Sequence, residues 1–408
     1  MAMKIMNEYE KRRPNICKFP FSGVTINPNG DFVPCCGAPR VKLGHISEES
    51  SLEEYINGDA QEILRDDFKK GKWPVSCNRC KINRDNGLPA LIDFMGDRLP
   101  WSDENFLNDK YDVQYLEFTP SNACNASCST CGSLFSSKWK ALDNKALEHG
   151  LDFRKSTSRV TGKSYSISDI DFDKILESLP TVKMLMLKGG EPLADKRNII
   201  LLEKIRKEKL TCHIDLITNF SMMDDEILDI LKDISNIQVS VSMDGLGKQY
   251  NWIRSTDFDH VISNIEKYHE VTNKKVTIII TLSVYNFFNI EEAIKFFTAM
   301  KSIYQIQLLS AKNPIYVSPS MIPQHMMEKL NDKHETSLWI SENPKVKKKN
   351  ELLDYTSLES LDDKSWFLNN KEPLMKWIDF LNQERGFRIE DSVPEINEIR
   401  RYYEDCSS

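Results

Sequence analysis

Thiols grouped by spacing are where this chain of 408 residues could do chemistry. Cys124, Cys128 and Cys131 fall in the stretch Cys124-Asn125-Ala126-Ser127-Cys128-Ser129-Thr130-Cys131. It follows an apolar run, Val113 to Phe118, and the turn-forming Thr119-Pro120-Ser121-Asn122, so these thiols sit on a loop at the end of a strand. Thiolates so placed can hold a soft metal or an iron–sulfur cluster. A cubane ordinarily takes four cysteines, so a loop of three leaves one iron open to a ligand from outside the protein. A zinc knuckle is the other reading of the same thiols.

A second group lies near the amino terminus. The runs Gly23 to Asn27 and Asp31 to Pro34, joined by Pro28-Asn29-Gly30, predict a β-hairpin whose open end brings Cys17 and Cys35 together. Cys36 is the alternative to Cys35 if the register slips. Cys77 and Cys80 add a C-x2-C pair, and Leu52 to Phe68 between them has helical periodicity through Leu52, Tyr55, Ile56, Ile63, Leu64 and Phe68. Four thiols in this pattern suit zinc or a cluster, and spacing alone does not choose.

The elements that must position these groups follow from Val113 onward, where strand-like and helix-like runs alternate as in a parallel α/β architecture. Strands are expected at Val113–Phe118, Val182–Leu187, His213–Asn219, Ile237–Met243, Val276–Val284 and Ile303–Leu309, with a helix from about Leu134 to Leu147 and a polar insertion from His149 to Ser166. Several strands end in stretches with chemical character: Lys188-Gly189-Gly190-Glu191-Pro192, Ile217-Thr218-Asn219-Phe220, and Ser242-Met243-Asp244-Gly245 with Arg254 beyond it. Paired glycines at a strand end allow close backbone approach to a ligand. Asp244 reads as a turn residue, and Asn286 follows a strand end, where ligand contacts are expected. The alternating polar sets Gln238, Ser240, Ser242 and Thr277, Thr281, Ser283, together with Gln305 and Gln307, are expected to face a barrel interior. Past Leu309, helices are expected at Pro323–Lys333 and Trp366–Leu381, with Trp339, Trp366 and Trp377 supplying apolar area and no motif carrying chemistry. Cys212 and Cys406 read as free thiols.

Composition narrows the setting. A net charge of -7 gives no general attraction to nucleic acid or an anionic membrane, and the basic run Lys345 to Lys349 reads as a solvated face. No apolar h-region opens the chain and no run reaches the roughly 18 residues that span a bilayer, so a cytoplasmic protein is expected. Ten cysteines are too few for a disulfide scaffold of this length, and seven of them fall in the two groups.

The C-x3-C-x2-C loop, followed one βα unit later by Gly-Gly-Glu and then by Thr-Asn-Phe and Ser-x-Asp-Gly with a downstream arginine, resembles the radical SAM superfamily. Cys17-x12-Gly30-x4-Cys35 with Cys77-x2-Cys80 resembles the twitch domain, the shortened relative of the SPASM domain, here placed before the barrel rather than after it. The resemblance implies a partial (β/α)6 TIM-like barrel over 109–312, an N-terminal twitch-like β-hairpin/helix iron–sulfur domain over 1–108 and a C-terminal helical extension over 313–408. It further implies that Cys124, Cys128 and Cys131 hold a [4Fe-4S] cluster whose open iron is chelated by S-adenosyl-L-methionine. Cys17, Cys35, Cys77 and Cys80 would hold an auxiliary [4Fe-4S] cluster. Gly189, Gly190 and Glu191 would receive the methionyl amino group, and Ser242 and Arg254 its carboxylate. Asn219 would lie at the T-N-G turn with Phe220 in the glycine position, and Thr130 stands where the family has an aromatic beside the adenine.

The activity so implied is reductive cleavage of S-adenosylmethionine to a 5'-deoxyadenosyl radical that takes hydrogen from a substrate, with the auxiliary cluster accepting or relaying an electron. A reducing partner such as flavodoxin or ferredoxin would serve it. The branch is rich in peptide maturases, which implies a peptide or protein substrate. No winged peptide-binding module is seen before Cys17, and a small-molecule dehydrogenase or rearrangement enzyme is the alternative. A non-catalytic zinc or iron–sulfur scaffold is the second.

Overall fold

The computed structural model describes residues 17–38, 41–85, 90–91, 110–151, 165–311, 314–331, 343–347 and 364–405. Most of the expected polar insertion, Trp339 and Cys406 lie outside them.

Apolar residues fill most of the strand runs, several of them buried on both faces, and among the described residues ten strands join one sheet. The strands are β1 (Gly23–Ile26), β2 (Asp31–Val33), β3 (Gly44–His45), β4 (Tyr115–Phe118), β5 (Met184–Leu187), β6 (His213–Thr218), β7 (Ile237–Ser242), β8 (Val276–Leu282), β9 (Ile303–Ser310) and β10 (Val346–Lys347). Their order is β10-β9-β8-β7-β6-β5-β4-β1-β2-β3. Pairing is parallel from β10 through to β1 and antiparallel only at β2 and β3. The six units expected from the sequence are β4 to β9. Leu116, Phe118, Leu185, Leu187, Leu216 and Val239 share one core with the helices Asp169–Ser178, Lys196–Glu208 and Asp225–Asp233. Tyr115, Met184 and Met186 point to the opposite face, against Phe19, Cys17 and Cys35.

The amino-terminal hairpin forms as expected, with Gly30 at φ +82° in its turn. It is also part of the barrel sheet, because β1 pairs in parallel with β4, Gly23 opposite Tyr115 and Ile26 opposite Phe118. That pairing uses the backbone groups an edge strand would leave exposed. It also fixes where the thiols lie. Cys17 precedes β1 and Cys35 follows the antiparallel β2, so both sit toward the N-terminal ends of the parallel strands, whereas Cys124 to Cys131 leave the C-terminal end of β4.

Two helices differ from expectation. The run from Leu52 to Phe68 breaks at Gly58 into Leu52–Asn57 and Asp59–Lys69, since Gly58 is extended at φ -79°, ψ 169° and closes the first helix through its N–H to the Tyr55 carbonyl. The helix after the cysteine loop starts at Trp139 rather than Leu134, because turns over 132–136 are used to close the loop on itself. The carboxyl-terminal part contains the helices Gln324–Asn331, Lys364–Arg385 and Glu395–Asp405. Among the described residues no helix is long and apolar enough to cross a membrane.

Candidate functional site

At the C-terminal ends of the parallel strands lies a cavity of about 350 Å³ whose wall includes Cys124, Cys128 and Cys131. The loop's shape is set by short-range polar contacts. Cys131 N–H donates to the Cys128 carbonyl at 3.0 Å, Ser129 N–H to that of Ile253 at 2.7 Å, and Ser136 Oγ to that of Ala126 at 2.6 Å. Ser127 N–H donates to Ser255 Oγ at 2.6 Å. Burial, and then the neighbouring Cys128, push the Cys124 thiol up to about 12. Burial raises Cys128 as well, against the pull of the Arg254 and Arg385 guanidiniums. Binding a cation or a cluster is what would deprotonate such thiols.

Of the cofactor contacts expected from the sequence, Gly189, Gly190, Asn219, Ser242, Arg254 and Thr130 line this cavity. Glu191 does not. Its buried carboxylate accepts from Thr218 Oγ1 at 2.5 Å, from Asn219 N–H at 2.7 Å and from Leu193 N–H at 3.1 Å, so it ties the end of β5 to the end of β6. The glycines are required chiefly by neighbouring chain. A Cβ on Gly189, at φ +118°, would stand 2.0 Å from Thr119 Cγ2, and one on Gly190 would stand 2.2 Å from the Ala123 carbonyl oxygen. The clash at Gly190 is with backbone of the cysteine loop, and Glu191 N–H binds that same carbonyl at 2.8 Å. Gly190→Ala is therefore expected to cost about 3 kcal/mol or more of unfolding free energy. Denaturant unfolding and iron uptake measured side by side would check this, and iron uptake should fall with stability.

Asn219 joins the cysteine loop to the end of β6, its Nδ2 donating to Asn125 Oδ1 at 2.9 Å while its Oδ1 accepts from Ser221 N–H at 2.9 Å. Phe220, in the position of a glycine, does adopt the left-handed conformation, φ +59°. Its side chain is fully buried edge-on against Tyr268, with ring centroids 5.7 Å apart, and burial of that size offsets the roughly 1–2 kcal/mol of backbone strain.

Asp244 does more than make a turn. Its carboxylate takes Arg254 Nη1 at 3.0 Å and Thr281 N–H at 2.7 Å, which aims the guanidinium into the cavity. Burial alone would lower the Arg254 pKa, but Cys128 and Asp244 beside it hold it above the usual arginine value. Arg254 Nε is buried there with no hydrogen-bond partner, and a free buried donor fits a carboxylate ligand. Asn286, expected near ligand, instead braces Asp244, its Nδ2 donating to the Asp244 carbonyl at 3.0 Å and to that of Thr281 at 2.9 Å. Thr281, expected to face the interior, lines the cavity, as do Phe135 and Ser310, which were not singled out. Only Phe135 offers the aromatic face that Thr130 lacks.

The second thiol group gathers on the inner face of the sheet. Burial raises Cys17 first, and nearby Cys77 and Cys80 add to it. Cys35 is raised in the same way, with Cys36, Cys17 and Cys77 around it. Cys36 turns aside toward the ion pair of Lys188 Nζ with Glu117 Oε1, 2.6 Å long, and burial pushes it up to about 11 with Lys188 pulling against the shift. Tyr115 Oη completes this wall by donating to Glu117 Oε2 at 3.0 Å. The wall runs from the four-thiol group to Gly189 at the rim of the cavity. Among the described residues no three His, Cys, Asp or Glu side chains are arranged to hold a single metal ion.

The carboxyl-terminal part, expected to carry no chemistry, touches the cysteine loop directly. Trp377 and Arg385 of the helix Lys364–Arg385 donate to the backbone on either side of Cys128.

Comparison with known proteins gives two family matches: the radical SAM superfamily over residues 118–297 and the SPASM iron–sulfur cluster-binding domain over residues 17–81. No curated protein matches the chain. Similar solved structures include Streptococcus suis SuiB bound to S-adenosylmethionine, at 18% identity over 54% of this chain and 43% of that one, TM-score 0.35. SuiB bound to precursor peptide SuiA matches at 16% identity over 80% and 69%, TM-score 0.41. Native anSMEcpe with bound AdoMet matches at 18% identity over 56% and 62%, TM-score 0.40. The chain spans about half the length of several of the solved structures it matches, from 43% to 62%.

Proposed function

In a chain that carries a radical SAM domain behind an amino-terminal SPASM iron–sulfur domain, we propose an enzyme that cleaves S-adenosylmethionine reductively and oxidises a peptide or protein substrate. The observation that carries this reading is the convergence of three thiols, two strand-end glycines and a buried arginine with a free Nε on one cavity. When bound, the cluster and S-adenosylmethionine supply one-electron cleavage of the sulfonium and removal of a hydrogen atom from the substrate. Cys124, Cys128 and Cys131 would hold that cluster and leave one iron for S-adenosylmethionine. The Gly189-Gly190 backbone and Arg254 Nε bind the methionyl amino and carboxylate groups, with Ser242 and Asn219 on the same wall. Thr130 and Phe135 bound the adenine side, and Glu191 and Asp244 fix the strand ends and the guanidinium.

Cys17, Cys35, Cys77 and Cys80 hold the auxiliary cluster, an electron acceptor or relay whose four thiolates leave no iron open to substrate. These thiols lie on the sheet face that carries Tyr115 and Met184, with the Lys188–Glu117 pair beside Cys36, which supports a substrate bound between the two thiol groups. When bound there, the cluster would supply a one-electron acceptor, so that loss of a hydrogen atom to the 5'-deoxyadenosyl group, then of one electron to the acceptor and one proton to solvent, would sum to a two-electron oxidation of the substrate. A flavodoxin or ferredoxin in the cytoplasm supplies the starting electron. We assign residues 1–108 to the auxiliary unit, 109–312 to the barrel and 313–408 to the helical extension.

Anaerobic reconstitution of the full chain tests the reading. About eight irons with matching sulfide are expected, four of them lost in a Cys77→Ser/Cys80→Ser variant, and reductant plus S-adenosylmethionine should yield 5'-deoxyadenosine. One tightly held zinc without sulfide, and no 5'-deoxyadenosine, would instead point to a scaffold.

A further inference from the structure

Three consecutive carbonyls of the cysteine loop each receive an N–H from elsewhere in the fold. Arg385 Nη2 donates to the Ser127 carbonyl, Trp139 Nε1 to that of Cys128 at 3.1 Å, and Trp377 Nε1 to that of Ser129 at 3.2 Å. The two indoles stack on one another with centroids 5.1 Å apart and planes at 21°. Arg385 is the last residue of its helix, and its other nitrogens are also engaged: Nη1 donates to Ser127 Oγ at 3.0 Å and Nε to the Trp252 carbonyl at 3.1 Å.

Every one of these Arg385 acceptors is neutral. The adjacent Glu384 is occupied by Lys145, at 2.9 Å. Arg254 on the other side of Cys128 differs, since Asp244 neutralises it at 3.0 Å. Arg385 binds both the carbonyl and the hydroxyl of Ser127, the residue next to Cys128, so its guanidinium lies against the cysteine loop. A half-buried cation held by three neutral acceptors, with its field on one cysteine, is costly unless an anion sits there. A thiolate-ligated cluster is such an anion, and it becomes more negative when reduced.

We propose that Arg385 sets the reduction potential of the cluster on Cys124, Cys128 and Cys131, its uncompensated charge favouring the reduced state, and that the carboxyl-terminal helix is built into the site to hold that charge against the loop. This rests on the reading that those three cysteines carry a cluster. Arg385 acts through Cys128 and is a positioning and charge-supplying residue rather than a catalytic one. The hydrogen bonds to the three carbonyls keep the loop at a fixed distance from the guanidinium. Charge and geometry are therefore separable by substitution.

The test is a dye-mediated redox titration of the reconstituted full chain, followed by electron paramagnetic resonance on the signal that added S-adenosylmethionine perturbs, which belongs to the cluster with an open iron. In Arg385→Met the ratio of reduced to oxidised cluster at a fixed ambient potential should fall at least tenfold, a shift of 59 mV for one electron. Arg385→Lys, which keeps the charge and loses the fork, should stay within a few-fold of wild type. If Arg385→Met does not take up iron, Arg385→Gln, which retains a donor for the Ser127 carbonyl, carries the same expectation. A wild-type potential in the loaded neutral variant, or an equal fall in Arg385→Lys, overturns the proposal. Wild-type protein that binds no iron and sulfide overturns the functional reading itself, and iron and sulfide content distinguishes that failure from the others.

Discussion

Cys128→Ala should reduce 5'-deoxyadenosine formation at least about 1,000-fold, close to the level of protein without iron, with little change in the fold. A thousandfold loss corresponds to about 4 kcal/mol of activation free energy. The loss should be that large because Cys128 is the most enclosed of the three thiols, with 7% of its surface exposed, and its loop neighbours Cys124 and Cys131 are already committed to the cluster. The loop around it does not depend on the thiol. Its carbonyl is held by Trp139, its neighbours by Ile253 and Ser255, and its Sγ makes only a long 3.6 Å contact to the Arg254 carbonyl. Removing one sulfur from a buried side chain should therefore cost about 1 kcal/mol of stability, small beside the effect on chemistry. The measurement is product formation alongside the unfolding midpoint. If the variant turns over at a tenth of the wild-type rate or better, the loop does not hold the cluster that the reaction uses.

That separation also shows what the sequence could and could not convey. The three-thiol loop, Gly189-Gly190 and Arg254 were legible because each lies within a few residues of a strand end, and strand ends in a parallel sheet converge by topology. The exact use of each group was less legible. Gly189 and Gly190 read as room for a ligand, whereas the nearest obstacles to a side chain are Thr119 and the Ala123 carbonyl, contacts created only when β4 and β5 pair. Glu191 reads as a ligand contact, and its carboxylate also accepts from Thr218, Asn219 and Leu193, a use that no local pattern signals. The parallel pairing of β1 with β4 has no local signal, since a hairpin reads the same whether its outer strand stays free or joins a sheet. Arg385 and Trp377 are the extreme case. They reach Ser127 and Ser129 across 258 and 248 residues, and in sequence Trp377 is one more apolar residue of the helix expected at Trp366–Leu381 while Arg385 lies past its end.

Arg254 gives the second large effect, and here a buried ion pair must be distinguished from a ligand contact. Arg254→Gln should weaken S-adenosylmethionine binding by about 100-fold, the worth of a charge-assisted hydrogen bond of about 3 kcal/mol in a buried site. The same change leaves the Asp244 carboxylate buried with Thr281 N–H as its remaining short contact, so stability should fall by about 3 kcal/mol. Asp244→Asn makes the opposite cut. It keeps one oxygen for Thr281 N–H, turns the other acceptor into an NH2 group facing Arg254 Nη1, loses the anion, and leaves the guanidinium in the cavity with its full charge unspent. Stability should again fall, but binding should weaken no more than about tenfold, since only the aim of the fork is loosened. Affinity measured by equilibrium titration, beside unfolding free energy, therefore separates the two variants, because they share the structural cost and differ in the ligand cost. Equal losses of affinity would mean that Arg254 serves the fold and that its unpartnered Nε is not where the carboxylate binds. A further check comes from product. Methionine keeps the carboxylate and the amino group but lacks the sulfonium and the nucleoside, so Arg254→Gln should weaken methionine binding by a similar factor. The nucleoside, which has no carboxylate, should bind the variant and the wild-type protein alike.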